Sequence, residues 1–117
     1  DVNKDFDKST TDFYVEHFGL DDADLEYLKK TIDDMVDNLD IINKYITDNS
    51  KDWKISRIAK VDLAILRISL SEILFNDLIP NSVSINEAVE ISKKYSNEDS
   101  HKYINGILGT VVRDLEI

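Results

Sequence analysis

The chain has 117 residues, with 24 acidic side chains against 14 basic ones for a net charge of −10, and it has no cysteine. That length suits one domain, able to bury about two-thirds of its unfolded surface, and 42% hydrophobic residues argue against disorder. The lack of cysteine excludes a disulfide scaffold and thiolate metal sites, one proline and three glycines leave few turns for an all-β fold, and no apolar run reaches the ~18 residues of a membrane span.

The charge is uneven. Residues 1–52 carry 15 acidic and 6 basic side chains, whereas residues 53–117 carry 9 and 8. The acidic first half would repel phosphate, so a nucleic-acid surface is expected in the second half or outside this chain.

In chain order, residues 1–19 read as a loose lead-in closed by Gly19, with Phe6, Phe13, Tyr14, Val15 and Phe18 as its apolar contacts. From Leu20 a pattern sets in. Leu25, Leu28, Ile32, Met35, Leu39, Ile42 and Ile46 alternate spacings of three and four, which predicts one amphipathic helix across three heptads. Such a stripe suits packing on a core, its ordinary use, or a coiled-coil dimer. Asp21, Asp22 and Asp24 lie where carboxylates favour the positive end of a helix. Asp22, Asp24 and Glu26 mimic calcium-loop spacing, but Tyr27 stands where that loop needs glycine. Trp53, in a polar connection, reads as a core anchor.

The stretch Ser56–Phe75 is apolar on most of its circumference. Ile58, Val61, Ile65 and Ile68 form one stripe, and Leu63, Leu66, Leu70 and Leu74 form a second. A helix of this kind must be surrounded by others, so it is the expected centre of an all-α bundle. Asp62, Arg67 and Glu72 interrupt it at spacings of five and line no single solvated face, so each must sit at a rim, pair, or meet a partner. The helices visible in the sequence are too few to cover this segment, which predicts an exposed apolar patch or self-association into a homodimer.

Pro80 then marks a turn over Asn76–Ser82. Ser84 and Glu87 form an S-x-x-E capping box that predicts the next helix start, and that helix runs to about Tyr95. Ser96–Ser100 break the pattern before a last helix, apolar at Tyr103, Ile104, Ile107, Leu108, Val111, Val112 and Leu115. Gly106 and Gly109 inside it each cost about 1 kcal/mol against alanine, which predicts close helix contact there.

Little catalytic chemistry is written here. Asp99, Ser100 and His101 spell the letters of a hydrolase triad, but adjacent side chains point in different directions and a triad needs its base within reach of its nucleophile. His17 and His101 lack metal-ligand spacing, and no phosphate-binding glycine loop is present. One polar constellation remains, made of Lys93, Lys94, Tyr95, His101, Lys102, Tyr103 and Asn105. Cations beside aromatic rings suit single-stranded RNA; a solvated lysine face with half-buried tyrosines is the plainer reading.

The stretches KVDLAILRISLSEILF (60–75), IPNSVSINEAVEISKKY (79–95) and EDSHKYINGILG (98–109) resemble the NusB family of bacterial transcription antitermination factors. The resemblance is strong over about residues 53–112 and a matter of pattern over 20–52. It implies a helical fold of two packed bundles, no enzymatic activity, no cofactor, and a cytoplasmic role. It implies binding to the boxA sequence of nascent RNA, notably from rRNA operons, together with the small-subunit ribosomal protein NusE in the RNA polymerase elongation complex. By the same resemblance Tyr95, Asp99, Lys102 and Tyr103 contact RNA, and Asp62 faces NusE. The family's arginine-rich first helix is not in this sequence, which opens DVNKDFDK, so that helix is expected to be missing from this chain. An interaction or dimerisation module without RNA binding, and the NusB-like domain of an rRNA methyltransferase, stand as the alternatives.

Overall fold

The computed structural model describes residues 22–50, 58–97 and 99–116. The lead-in over residues 1–19, Trp53 and the first residues of the stretch expected as the central helix lie outside them. Among the described residues there are five helices and no strand: α1 (Asp22–Asp37), α2 (Leu39–Asn49), α3 (Lys60–Phe75), α4 (Asn81–Tyr95) and α5 (Ser100–Leu115). The fold is all-α, as the periodicity predicts.

The heptad stripe is buried within the chain, at Leu28, Ile32, Met35, Ile42 and Ile46, but it does not form one helix. Asn38 divides it. The Asn38 backbone sits at φ −120° and ψ 23°, and its side-chain Nδ2 donates to the Asp34 carbonyl at 2.8 Å. That carbonyl also accepts from the Asn38 backbone N–H at 3.2 Å, so the side chain adds a second local hydrogen bond at the break. Asn49 closes α2 in the same way, onto the Tyr45 carbonyl at 2.8 Å.

Helix α3 is the centre. It buries Ile65, Leu66, Ile68, Leu70 and Ile73 together with Asp62, Arg67, Ser69 and Ser71, and α1, α2, α4 and α5 all pack on it. Among the described residues α3 is buried over most of its length, but large apolar side chains are exposed at its C-terminal end, with Phe75, Leu78 and Val83 around the α3–α4 turn, and Leu115 is exposed at the end of α5. Leu115 is thus exposed where the apolar pattern placed it inward. Ser71 Oγ crosses from α3 to the Thr31 carbonyl of α1 at 3.1 Å.

Two local expectations need correction. Helix α4 begins at Asn81, a full turn before the expected capping box, with Pro80 as its N-cap at φ −58° and ψ 139°. The ring of Pro80 fixes that φ and so pre-orients the first turn. Ser84 consequently lies inside the helix, where its buried hydroxyl has no hydrogen-bond partner. Gly106 and Gly109 make no close helix contact either, because a Cβ at each position meets no heavy atom within 4 Å. They lie on the side of α5 away from the Ile104–Leu108–Val111 core face, and Gly106 is exposed.

Candidate nucleic-acid interface

Helices α4 and α5 are consecutive, pack on each other more closely than any other pair, and are joined by a short connection at residues 96–99. A charge from the central helix lies beneath that junction. Asp62, in the first turn of α3, is 6% exposed, and both of its carboxylate oxygens accept hydrogen bonds. Ser96, the C-cap of α4, donates to Oδ1, and Ser100, the first residue of α5, donates to Oδ2 at 2.9 Å. The two serine oxygens lie 3.0 Å apart. Each hydroxyl has one proton, so with both directed at the carboxylate that contact is a close approach of acceptors. A buried carboxylate needs such donors to offset its lost hydration.

Each serine is followed or preceded by a residue expected to touch RNA. Tyr95 precedes Ser96 and is half-buried, with Lys94 Nζ lying 5.4 Å from its ring centroid. Lys93, also exposed, pairs with Glu90 at 3.6 Å. Glu90, Ile91, Lys93, Lys94 and Tyr95 line a shallow, open depression of about 360 Å³. Asp99 precedes Ser100 and is exposed; its side chain makes no capping bond, although its carbonyl accepts from Lys102 N at 3.2 Å. Lys102 is exposed on the outer side of α5.

Tyr103 is oriented differently. It packs against the hydrophobic core, and its hydroxyl lies 2.7 Å from that of Ser50, at the end of α2. Burial, and more weakly the Asp62 carboxylate, push its phenol up from the usual value, while the Ser50 hydroxyl acts the other way. The structure thus gathers Tyr95, Asp99 and Lys102 around one junction. Tyr103 lies on the inner side of the same turn and Asp62 beneath it. Ser100, committed to Asp62, is no partner for His101, so the letters of a triad assemble into none.

The other two charges that interrupt the apolar pattern of α3, Arg67 and Glu72, are also partnered within the chain. Arg67 Nε donates to Asn43 Oδ1 on α2 at 3.0 Å, and burial draws its pKa down. Tyr27 on α1 donates its hydroxyl proton to Glu72 Oε2. Burial and that carboxylate raise the Tyr27 phenol to about 12, and burial also raises Glu72. Sequence reasoning missed the roles of Ser96 and Ser100. Their signal was two serines four apart bracketing a helix break, opposite an unexplained acid in an apolar helix. Among the described residues no group of three or more His, Asp or Glu side chains is placed to hold a metal ion, and no helix is long and apolar enough to cross a membrane.

Comparison with known proteins gives a consistent result. The transcription antitermination protein NusB of Finegoldia magna is 39% identical over 115 residues, covering 98% of this chain and 84% of the relative. That of Clostridium botulinum is 47% identical over 97 residues, covering 83% and 68%. A crystal form of T. maritima NusB matches with a TM-score of 0.77 at 28% identity, over 95% of this chain and 87% of that one. A crystal structure of antitermination factors NusB and NusE in complex with dsRNA matches with a TM-score of 0.71 at 28% identity, over 86% and 74%. The NusB family profile itself spans residues 1–113, and the chain belongs to the NusB family.

Proposed function

We propose that this protein is a cytoplasmic transcription antitermination factor without catalytic activity, which binds the boxA RNA of nascent rRNA transcripts together with NusE and joins the RNA polymerase elongation complex. The observation that carries this reading is the match to antitermination factors NusB and NusE in complex with dsRNA, over 86% of the chain. The α4–α5 junction supports it chemically. Exposed Lys102 and Lys94 offer cations to phosphate, Tyr95 offers part of a ring for stacking, and exposed Asp99 offers an acceptor to a base edge. Tyr103 belongs to this set as its inner member, holding the turn from the core side. Asp62 belongs to the partner-facing reading through the first turn of α3, where Ala59 and Lys60 beside it are exposed.

A net charge of −10 makes the protein alone a weak RNA binder at physiological salt, because phosphate neutralisation supplies much of such affinity. NusE would add surface and cations. The test is titration of boxA RNA with the full-length protein, with and without NusE. NusE should tighten binding, and Lys102→Ala should lower the salt slope by about one unit while leaving folding intact. The reading is lost if NusE neither binds the protein nor alters its RNA isotherm.

A further inference from the structure

The geometry points to Asp62 as a positioning residue for the RNA surface, a buried clasp that fixes the end of α4 and the start of α5 through Ser96 and Ser100. This rests on the RNA-binding reading above and adds a residue that never touches the nucleic acid.

The Asp62 side chain accepts hydrogen bonds from both ends of the 96–100 connection. Ser96 has extended backbone, φ −125° and ψ −170°, and Ser100 opens α5 with its side chain buried. With both serines turned inward onto one carboxylate, their neighbours Tyr95 and Asp99 are left half-buried and exposed, respectively. The same anchor sets the rotation of the first turn of α5, which places Lys102 outside and Tyr103 inside against Ser50. The described backbone bonds here are local, from Ser96 N to the Ser92 carbonyl at 2.9 Å and from Ser100 N to the Asn97 carbonyl at 3.0 Å, and neither ties the connection to α3. The cap position of α5 makes no side-chain bond of its own, and the one proline of the chain lies in the other turn. Ligand-contacting groups gain affinity when their arrangement is set before binding. A carboxylate also gives what asparagine or alanine could not, since two acceptor oxygens serve two hydroxyl donors at once.

The experiment uses the full-length protein and boxA RNA, with a scrambled RNA as reference, and separates positioning from bulk stability. Asp62→Ala should lower boxA affinity about tenfold, comparable with the low end of what loss of an outer hydrogen-bond partner costs a metal site, and should speed hydrogen exchange at the Lys102 and Tyr103 amides. Asp62→Ala combined with Ser96→Ala and Ser100→Ala removes the hydroxyls that the single change leaves unsatisfied. Its denaturant midpoint should recover toward the parent value while RNA affinity stays low. In a Lys102→Ala, Asp99→Ala background Asp62→Ala should cost less further affinity than in the parent, because two of the groups it positions are gone; a general loss of stability would cost the same in both backgrounds. The inference is overturned if the triple variant binds boxA like the parent. It is equally overturned if Asp62→Ala weakens NusE binding and leaves RNA binding by the protein alone unchanged, which would make Asp62 a direct partner contact. If the parent itself does not distinguish boxA from scrambled RNA, the RNA reading fails first and takes the positioning role with it; the parent isotherm tells the two failures apart.

Discussion

Helices α3 and α5 each have 16 residues, and they use polar side chains in opposite ways. In α3 nearly every direction is occupied by another helix, so Asp62, Arg67 and Glu72 are all answered within the chain, by Ser96 and Ser100, by Asn43 and by Tyr27. In α5 one face carries Ile104, Ile107, Leu108, Val111 and Val112 into the core, and the opposite face leaves Lys102, Asn105, Gly106 and Arg113 to solvent. A charge in a surrounded helix is an internal strut, whereas a charge on a one-sided helix is available to a partner. The surroundings of a residue, more than its type, decide which role it takes.

That contrast can be broken most sharply at the core positions. Leu70 on α3 and Leu108 on α5 are both fully buried, so Leu70→Ala and Leu108→Ala should each cost about 2–5 kcal/mol in denaturant unfolding. A much smaller loss for Leu108→Ala would mean that α5 is not anchored as described. Next in size is the strut role. Asn43→Ala strips an acceptor from the buried Arg67 guanidinium and should cost about 1–3 kcal/mol, whereas Lys102→Ala, on the open face, should leave the unfolding midpoint within about 0.5 kcal/mol. Finding both changes equally silent would erase the distinction between the two helices.

A smaller effect of opposite sign is expected on the same open face. Gly106→Ala places a Cβ in free space and should stabilise the protein by about 0.5–1 kcal/mol; any destabilisation would reveal a contact at that face. The mildest test is alkaline. The folded protein holds the Tyr27 proton up to about pH 12, whereas an unperturbed tyrosine releases it near 10.0. The resulting stabilisation is therefore fully present below pH 10 and lost as pH rises toward 12. Comparing unfolding midpoints across that window, Tyr27→Phe should show a shallower decline than the parent. Since Tyr27 is 39% exposed, solvent screening keeps the difference small, and identical slopes would remove the Glu72 strut from the account.

Much of this was written in periodicity. The central position of α3 follows from its two apolar stripes, the inward face of α5 from the spacing of Ile104, Ile107, Leu108 and Val111, and the helix break from the polar run at 96–100. The division at Asn38 was not legible, because a stripe of threes and fours reads the same across a helix and across two helices meeting at a side-chain bond. The start of α4 was misread because a serine–glutamate pair competes with a proline four residues earlier, and the fixed φ of proline prevailed. Within the candidate site, the residue types at Tyr95, Asp99 and Lys102 were visible, but the partners of Asp62 were not. No periodicity links residues 34 and 38 positions apart; only the packed fold brings them together.

Those separations also impose an order in time. Helices α4 and α5 adjoin in the chain, and a local helical hairpin forms readily because its loop closes at small entropic cost. Asp62 reaches Ser96 and Ser100 only when the first turn of α3 has docked across the far end of that hairpin. Ser50 meets the Tyr103 hydroxyl across a longer separation still, 53 positions. The connection between α4 and α5 therefore receives its final shape late, after the elements on either side of it exist. A partly folded molecule would carry the same tyrosine, aspartate and lysine without their arrangement, so on the proposed reading competence for RNA would arrive together with completion of the fold.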